Sequence, residues 1–548
     1  MRPRNCSPSC RIPAKISDMR MIVALLVMSR GLLGQDIEMA RMKADLQFLT
    51  SDALAGRQSL EPGAAAAAEY IAVEFRKAGL QPGNGDSYLQ QFALAAYRAD
   101  PSASTLTVNI QGVVVNCQRG KDFQGAFKDD VNVRAPVTFA GYGITAPEYG
   151  YDDYAGIDVK GRIVLVFDHE PQENDAQSVF NGAGFTRYAT RRVKALNAEQ
   201  HGAIGILVAD DPLRQHASVF DPPATTANGA SARRNAPTQA LIDDPPWIPT
   251  LAISDALAAK LLARRNPTEW AEAVDKRLKP DSFELKGASA EIHNANAERH
   301  RGISANVVGL LEGSDPVLQR ETILVTAHYD HLGTANGEVY PGANDNGSGT
   351  VAVMEIARQL AHAASRPKRS ILFIVFGSEE EGLAGSYHYV EHPLRPLNTT
   401  RAILNLDMIA RNEAHIPQDQ GLINIGADTS NDLQLIGTLY SPDLEKAIRE
   451  ENRAIGLRID TKFDHTIVLN ALFRCDHFPF LLHDVPAAWF FTGWHPGYHE
   501  PSDTMEKLNY PKMEKIARLA LRTAIALANS PDTPRFKAAN GLPVRTGE

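Results

Sequence analysis

Two kinds of hydrophobic pattern divide this chain of 548 residues. From about Val137, short β-type runs separated by Gly, Asp and Pro predominate, at 137–144, 161–169 and 203–210. From about Ile303 onward, continuous runs of Val, Ile, Leu and Phe alternate with amphipathic helical segments. Because continuous apolar runs are typical of strands buried on both faces, we predict a mainly parallel α/β sheet in this later region.

The elements of the later region follow one another in regular order. The pattern predicts strands at 321–330, 370–377, 401–407 and 487–493, and helices at 348–363, 443–457 and 512–528. A helix at 61–80 and a strand at 87–94 precede the β-rich region. The predicted fold class is therefore α/β: a mixed, mainly parallel sheet sandwiched by helices, with a β-rich domain inserted into it.

Composition narrows the class of protein. A hydrophobic content of 44% and a charged content of 22% are ordinary for a globular protein. The net charge of -9, with no basic block, argues against nucleic acid as a partner. Four cysteines are too few for a disulfide scaffold and have no CxxC spacing, so we expect no cysteine-bound metal. Cys117 and Cys475 either pair or stay free.

The segment 19–35 has the layout of a secretory signal peptide. Arg20 supplies a short charged region and 21–28 a short apolar core, and Met19 or Met21 is an alternative start. We therefore expect a periplasmic or secreted protein, the alternative being an N-terminal extension. No other stretch has the roughly 20 apolar residues that span a bilayer, so the mature form is expected to have no stable membrane span.

Histidine and carboxylate side chains gather after the ends of the predicted strands. They are His328, Asp330, Glu379, Glu380, Asp407 and His499, with Asp345 between a strand and a helix. In open α/β sheets, ligands bind beyond the carboxyl ends of the strands. Carboxylates that face one another there need a counter-charge, and a divalent metal with mixed His and carboxylate ligation suits zinc.

Five motifs in this order resemble peptidase family M28, the dizinc aminopeptidases and related carboxypeptidases: "TAHYDHLG", "PGANDNGSG", "SEEEGLAGS", "NLDM" and "HPGYHEPSDT". The resemblance covers about 40–95 and 303–530. The segment around 130–270 resembles a protease-associated (PA) domain through "GYGI", "YDDYAGIDVKGRIVLV" and "KALNAEQHGAIGILV". The domain organisation that we expect is an N-terminal extension and signal at 1–35, peptidase domain at 36–128 and 276–532, PA-like insert at 129–275, and a tail at 533–548.

The resemblance implies two zinc ions per chain. His328 and Asp407 would hold one ion, Glu380 and His499 the other, and Asp345 would bridge them. Asp345 would then be the shared carboxylate of a two-metal site.

The resemblance also implies catalytic roles for two further carboxylates. Glu379 would be the general base that takes a proton from a metal-bound water, which then attacks the scissile carbonyl. Asp330 would accept the second imidazole N–H of His328 and so fix its tautomer. Glu381 is expected to have neither role.

The neighbouring polar residues are expected to have lesser roles. His331 is expected at the surface or in support of the ligands, and Cys475, Asp476 and His477 as lining of the cleft. Tyr498 either binds substrate or packs.

The function that the resemblance implies is a zinc exopeptidase, an aminopeptidase acting on peptides with a free N-terminus. Carboxypeptidase or dipeptidase action and single-zinc glutaminyl cyclisation are alternatives on the same fold. A non-catalytic binding ectodomain is a further alternative, which the complete set of ligands disfavours. The sequence leaves the oligomeric state open.

Overall fold

A computed structural model describes residues 36–214, 218, 220, 237–243, 245–263 and 265–538. The predicted signal segment and the chain beyond 538 lie outside these residues. No helix within the described ranges has both the length and the apolar character needed to span a bilayer. Cys117 and Cys475 are both free thiols.

The strands follow in chain order: β1 Gln81–Pro82, β2 Leu89–Ala99, β3 Thr105–Ile110, β4 Val113–Cys117, β5 Phe123–Gln124, β6 Val131–Phe139, β7 Thr145–Ala146, β8 Tyr151–Asp152, β9 Ile163–Phe167, β10 Gly205–Ala209, β11 Thr238–Leu241, β12 Thr250–Ile253, β13 Phe283–Asn294, β14 Asn296–Leu311, β15 Thr322–His328, β16 Thr334–Ala335, β17 Glu338–Val339, β18 Ser370–Phe376, β19 Thr400–Leu406, β20 Asp432–Ile436, β21 Arg458–Asp460 and β22 Ala487–Phe491.

The α-helices in the described ranges are α1 Met39–Leu49, α2 Pro62–Lys77, α3 Arg191–Gln200, α4 Asp255–Leu262, α5 Pro267–Arg277, α6 Gly349–Ala361, α7 Ala384–Glu391, α8 Pro442–Asn452, α9 Phe478–Leu482 and α10 Tyr510–Asn529. Their ends follow ordinary capping chemistry. The side chain of Ser441 accepts from the backbone nitrogen of Leu444 at the start of α8, and Asn509 accepts from Lys512 at the start of α10.

The main sheet contains ten strands in the order β11-β2-β14-β18-β15-β19-β22-β20-β21, with β1 paired to β14. Its centre, β18-β15-β19-β22, is parallel, and antiparallel strands flank it on both sides. Every residue of these four central strands except Arg401 is buried, as the apolar runs predict. The mixed sheet expected from sequence is confirmed, with parallel pairing among its central strands and antiparallel pairing in most of the rest.

Helices cover both faces of the main sheet. Alternate strand residues point to opposite sides, so Ile323 and Val325 join one apolar core while Leu324 joins another. Helices α1, α2, α6, α8 and α10 contribute to the first core, and α7 and α9 to the second. The parallel strands are therefore sandwiched, and only their ends are accessible to a ligand.

The second sheet contains eight strands in the order β4-β3-β13-β6-β9-β10-β12-β5. It is wider than the insert predicted at 129–275, because β3 and β4 come before that range and β13 follows it. One residue, Ala295, separates β13 from β14 of the main sheet. The strand β11 also returns from this region to pair with β2. The two sheets are thus joined along consecutive strands.

Candidate metal centre

The parallel strands deliver the predicted ligands to one edge of the main sheet. His328 is the last residue of β15, Asp407 directly follows β19, and Glu379 and Glu380 follow β18 after two residues. Asp345 lies in the turn before α6, and His499 lies in the segment after β22. Carboxyl ends of parallel strands meet at the same edge, which is where an α/β sheet binds its ligands.

The first donor group consists of His328, Asp345 and Asp407. Nε2 of His328 lies 3.4 Å from Oδ1 of Asp345 and 3.4 Å from Oδ1 of Asp407. Within the described residues, Nε2 of His328 and Oδ1 of Asp407 are buried without a hydrogen-bond partner. Two donors bound at about 2.0–2.2 Å to one zinc lie about 3 to 4 Å apart, so these three side chains fit a common ion.

The second donor group consists of Asp345, Glu380 and His499. Nε2 of His499 lies 3.2 Å from Oδ2 of Asp345 and 3.3 Å from Oε1 of Glu380. Asp345 therefore turns one oxygen toward each donor group. The structure brings all five predicted ligands together, and their donor atoms fit two adjacent ions that share one carboxylate.

His331 belongs to this centre rather than to the surface. Its side chain is buried, and Nδ1 lies 2.9 Å from Oε1 of Glu380 and 4.0 Å from Oδ2 of Asp345. The sequence analysis missed this contact, although an H-x-x-H spacing with His328 was present.

Glu379 occupies the position that a general base requires. Its carboxylate lies on the cleft, and Oε2 is 3.8 Å from Nε2 of His328. Burial raises the pKa of Glu379 well above its usual value, and the neighbouring charge of His328 opposes the rise. Glu381 is half-buried, in the turn that follows.

The carboxylate of Asp330 makes contacts other than the one predicted. Its Oδ1 is 3.7 Å from Nδ1 of His328, beyond hydrogen-bond distance, and Nδ1 faces the backbone oxygen of Asp330 at 3.2 Å instead. The carboxylate accepts from the backbone N–H groups of Glu379 and Glu380, at 3.0 and 3.2 Å, and from the hydroxyl of Ser59 at 3.1 Å. Asp330 therefore holds the turn of Glu379 and Glu380, because the two backbone N–H groups lie closer to its carboxylate than the imidazole of His328 does.

Two buried side chains hold the loop that carries Asp345. Oδ2 of Asp503 accepts from the backbone N–H groups of Asn344 and Asp345, at 2.9 and 3.0 Å. Nδ2 of Asn344 lies 2.9 Å from Nε2 of His495. The sequence analysis did not predict these contacts.

A fully buried arginine, Arg57, lies beneath the centre. Its guanidinium donates to the backbone oxygens of Leu49, Tyr329, Pro341 and Gly342. Burial lowers the pKa of Arg57 to about 10, although nearby carboxylates oppose the shift. Arg57 therefore ties the loop after β15 to the loop before α6. No motif in the sequence marked it.

The sequence predicted that Cys475, Asp476 and His477 line the cleft. The structure shows that they do not. All three are fully buried. The thiol of Cys475 donates to Oδ2 of Asp407 at 2.9 Å, and Nδ2 of Asn405 lies 2.9 Å from the sulfur. Burial raises the pKa of Cys475 well above its usual value, so the thiol keeps the proton that it donates to Asp407.

The donor groups open into a cleft of about 290 Å³. Besides the acidic residues and His499, its walls are formed by Gly382, Leu383, Met408, Phe473, Arg474, Trp489, Trp494 and Tyr498. The ring of Tyr498 stacks on that of His499 with 3.8 Å between centroids. The cleft thus combines an acidic floor with largely apolar walls and one arginine.

The second sheet contacts the wall of this cleft. The rings of Phe185 and Phe473 stack with 6.3 Å between centroids. Nδ2 of Asn181 donates to the backbone oxygen of Asp464 at 2.7 Å, and Arg187 donates to the backbone oxygen of Leu481 at 3.1 Å. The β-rich domain therefore packs against the segment that carries Phe473.

This site, a buried carboxylate beside two groups of His and carboxylate donors on a parallel sheet, is typical of metal-dependent hydrolases. Family comparisons refine that class. The peptidase family M28 model matches 306–524, and the PA domain model matches 93–261. Residues 306–524 are thus a peptidase family M28 domain, and the chain also carries a PA domain.

Three curated relatives are similar to this chain over different lengths. Aminopeptidase YwaD of Bacillus subtilis is 30% identical over 243 residues, 42% of this chain and 47% of the relative. The probable lipoprotein aminopeptidase LpqL of Mycobacterium tuberculosis is 24% identical, over 82% of this chain and 76% of the relative. The probable glutamate carboxypeptidase VP8 of Zea mays is 25% identical, over 90% of this chain and 67% of the relative. The chain thus spans about half the length of YwaD.

Proposed function

We propose that this chain is a dizinc aminopeptidase that removes N-terminal residues from peptides. The observation that carries the proposal is the position of Asp345, whose two oxygens face the two donor groups. His328 and Asp407 would hold one zinc, and Glu380 and His499 the other. The aminopeptidase names of YwaD and LpqL support this choice of reaction.

The chain's own residues account for the movement of protons. Zinc, when bound, supplies an electrophile for the scissile carbonyl and lowers the pKa of water. Glu379 accepts the proton that water loses as its oxygen bonds to the carbonyl carbon. It returns that proton to the nitrogen of the leaving amine as the C–N bond breaks.

The walls of the cleft favour an apolar side chain at the substrate's N-terminus. Met408, Trp489 and Trp494 offer apolar and aromatic surface beside the acidic floor.

We propose peptides with a free N-terminus as partners and no nucleic acid, in line with the net charge of -9. We also propose export to the periplasm or medium. Edman sequencing of the protein from cell fractions tests export, since an uncleaved cytoplasmic chain would contradict it.

The decisive experiment for aminopeptidase action compares aminoacyl nitroanilides with their N-acetylated forms. We expect hydrolysis of the free-amine substrates alone, loss of activity with chelator, and recovery with zinc. Elemental analysis should give two zinc ions per chain. Activity that survives complete metal removal would refute the proposal, and cyclisation of an N-terminal glutamine with one zinc would favour the glutaminyl cyclase alternative.

A second candidate function, carboxypeptidase or dipeptidase action, is favoured by Arg474. This arginine is exposed on the wall of the same cleft, where a guanidinium suits a substrate carboxylate. If it anchors a C-terminal carboxylate, Arg474→Ala should raise KM for free dipeptides and leave KM for their C-terminal amides unchanged. Arg453→Ala, an exposed arginine at the end of α8, is the matched control. Equal KM values for acid and amide in the wild-type protein would exclude this candidate.

A further inference from the structure

His331 is a buried histidine whose ring is not explained by the packing around it. Its exposed fraction is 1%. Within the described residues, neither ring nitrogen has a hydrogen-bond partner of acceptable geometry. A buried polar atom without a partner is costly, so such an atom in a well-packed site points to a ligand.

The backbone and ring of His331 are held firmly. Its N–H donates to the backbone oxygen of Arg57 at 3.1 Å. The ring packs so closely on Gly342 that a Cβ there would lie 2.6 Å from the imidazole carbons. The loop before α6 therefore accommodates this ring through a residue without a side chain.

The nitrogen Nδ1 of His331 faces the second donor group. It is 2.9 Å from Oε1 of Glu380 and 4.0 Å from Oδ2 of Asp345. Two donors bound at about 2.0–2.2 Å to the same zinc can be at most about 4.4 Å apart. Both distances meet that limit, as do those from His499 to the same two carboxylate oxygens. His331, Asp345 and Glu380 thus form a buried set of three convergent donors.

We propose that His331 is an additional nitrogen ligand of the metal that Glu380 and His499 hold. The inference rests on the proposed dizinc function and extends its ligand set from five side chains to six. The metal at this position is then held by two imidazoles, Glu380 and the shared Asp345. The metal at the first donor group has one imidazole, from His328. The two positions therefore differ in ligand number, and the second should retain zinc more strongly.

Zinc affinity and cobalt spectra of His331 variants test the proposal. Metal-free wild-type, His331→Ala and His331→Asn are each titrated with zinc against a competing chelator and then loaded with Co²⁺. We expect both variants to keep their zinc affinity at the first donor group. At the second donor group the affinity should fall by more than about 100-fold, which is the upper end for residues that only support a ligand. The visible absorption of Co²⁺ at that site should change equally in both. His415→Ala, which removes a mostly exposed histidine, is the control.

The asparagine variant separates ligation from support. If His331 only donates a hydrogen bond to Glu380, asparagine restores the donor, and wild-type affinity in His331→Asn overturns the proposal. Unchanged affinity and spectrum in His331→Ala overturn it as well, while leaving the dizinc function intact. A wild-type protein that binds no zinc refutes the proposed function and this inference together. Circular dichroism of the metal-free variants verifies their fold.

Discussion

The carboxylate of Asp330 accepts a hydrogen bond from the backbone N–H of Glu379, with 3.0 Å between oxygen and nitrogen. Its second oxygen accepts from Glu380 in the same way. The end of β15 therefore fixes the turn after β18, and with it the proposed base and a proposed metal ligand. Because Asp330 holds their backbone in place, the side chains of Glu379 and Glu380 can have different functions.

Replacing Asp330 should disturb catalysis without removing any direct ligand. Asp330→Ala leaves the N–H groups of Glu379 and Glu380 without their acceptor, so we expect kcat or zinc affinity to fall by about 10- to 100-fold. Steady-state kinetics and metal analysis measure both quantities. Asp330→Asn keeps one acceptor oxygen and should lose less. Wild-type kinetics and zinc content in the alanine variant would contradict this role.

The three consecutive glutamates should respond differently to substitution. Glu379→Ala should retain both zinc ions and lower kcat by about 10²- to 10⁴-fold, because only proton transfer is removed. Glu380→Ala should lose one zinc, which elemental analysis detects. Glu381→Ala is the internal control and should change neither quantity. Equal damage from all three would show that the assignment of roles is wrong.

The thiol of Cys475 should act as a hydrogen-bond donor to Asp407 rather than as a reactive group. Cys475→Ala removes this donor and should weaken zinc binding at the first donor group by about 10- to 100-fold, whereas Cys475→Ser should retain most of the affinity. Because burial raises the thiol pKa, the native protein should not react with a thiol reagent at Cys475, and the denatured protein should. Equal zinc affinities of the alanine and wild-type proteins would refute the donor role.

Removal of the Arg57 guanidinium should destabilise the fold. Arg57→Met leaves the backbone oxygens of Leu49, Tyr329 and Pro341 without a donor, and each unsatisfied group costs about 1–3 kcal/mol. We expect the free energy of unfolding to fall by at least about 3 kcal/mol, which chemical denaturation of the metal-free protein measures. The exposed Arg453→Met is the matched control. A change as small as that of the control would show that the carbonyls find other partners.

Buried His477 should make stability depend on acid pH. Burial lowers its pKa to about 3, whereas an unfolded histidine titrates at about 6.5. Between these values the unfolded chain binds the additional proton, so this contribution to stability is complete above about pH 6.5 and declines as the pH falls toward 3. The slope should approach about 1.4 kcal/mol per pH unit. His477→Gln should lower it, and the melting temperatures of both proteins across pH 4–7 measure the difference. Parallel pH curves would contradict the prediction.

The sequence predicted the fold well where hydrophobic periodicity was strong. The helix predicted at 348–363 is α6 Gly349–Ala361, and the strand predicted at 370–377 is β18 Ser370–Phe376. The long pair β13 and β14 was missed, because its strands are half-exposed and carry many polar residues. The width of the second sheet was missed for the same reason, since β13 joins it to β3.

By itself, the sequence determined the α/β class and the set of five convergent donors, because strand ends and motif order are local properties of the chain. Only the tertiary structure decided which atoms meet. It placed Cys475 against Asp407, His331 against Glu380, and Asp330 beneath the turn of Glu379. These contacts depend on the register between neighbouring strands and on the packing of loops from distant parts of the chain. Neither property leaves a periodic signal in the sequence.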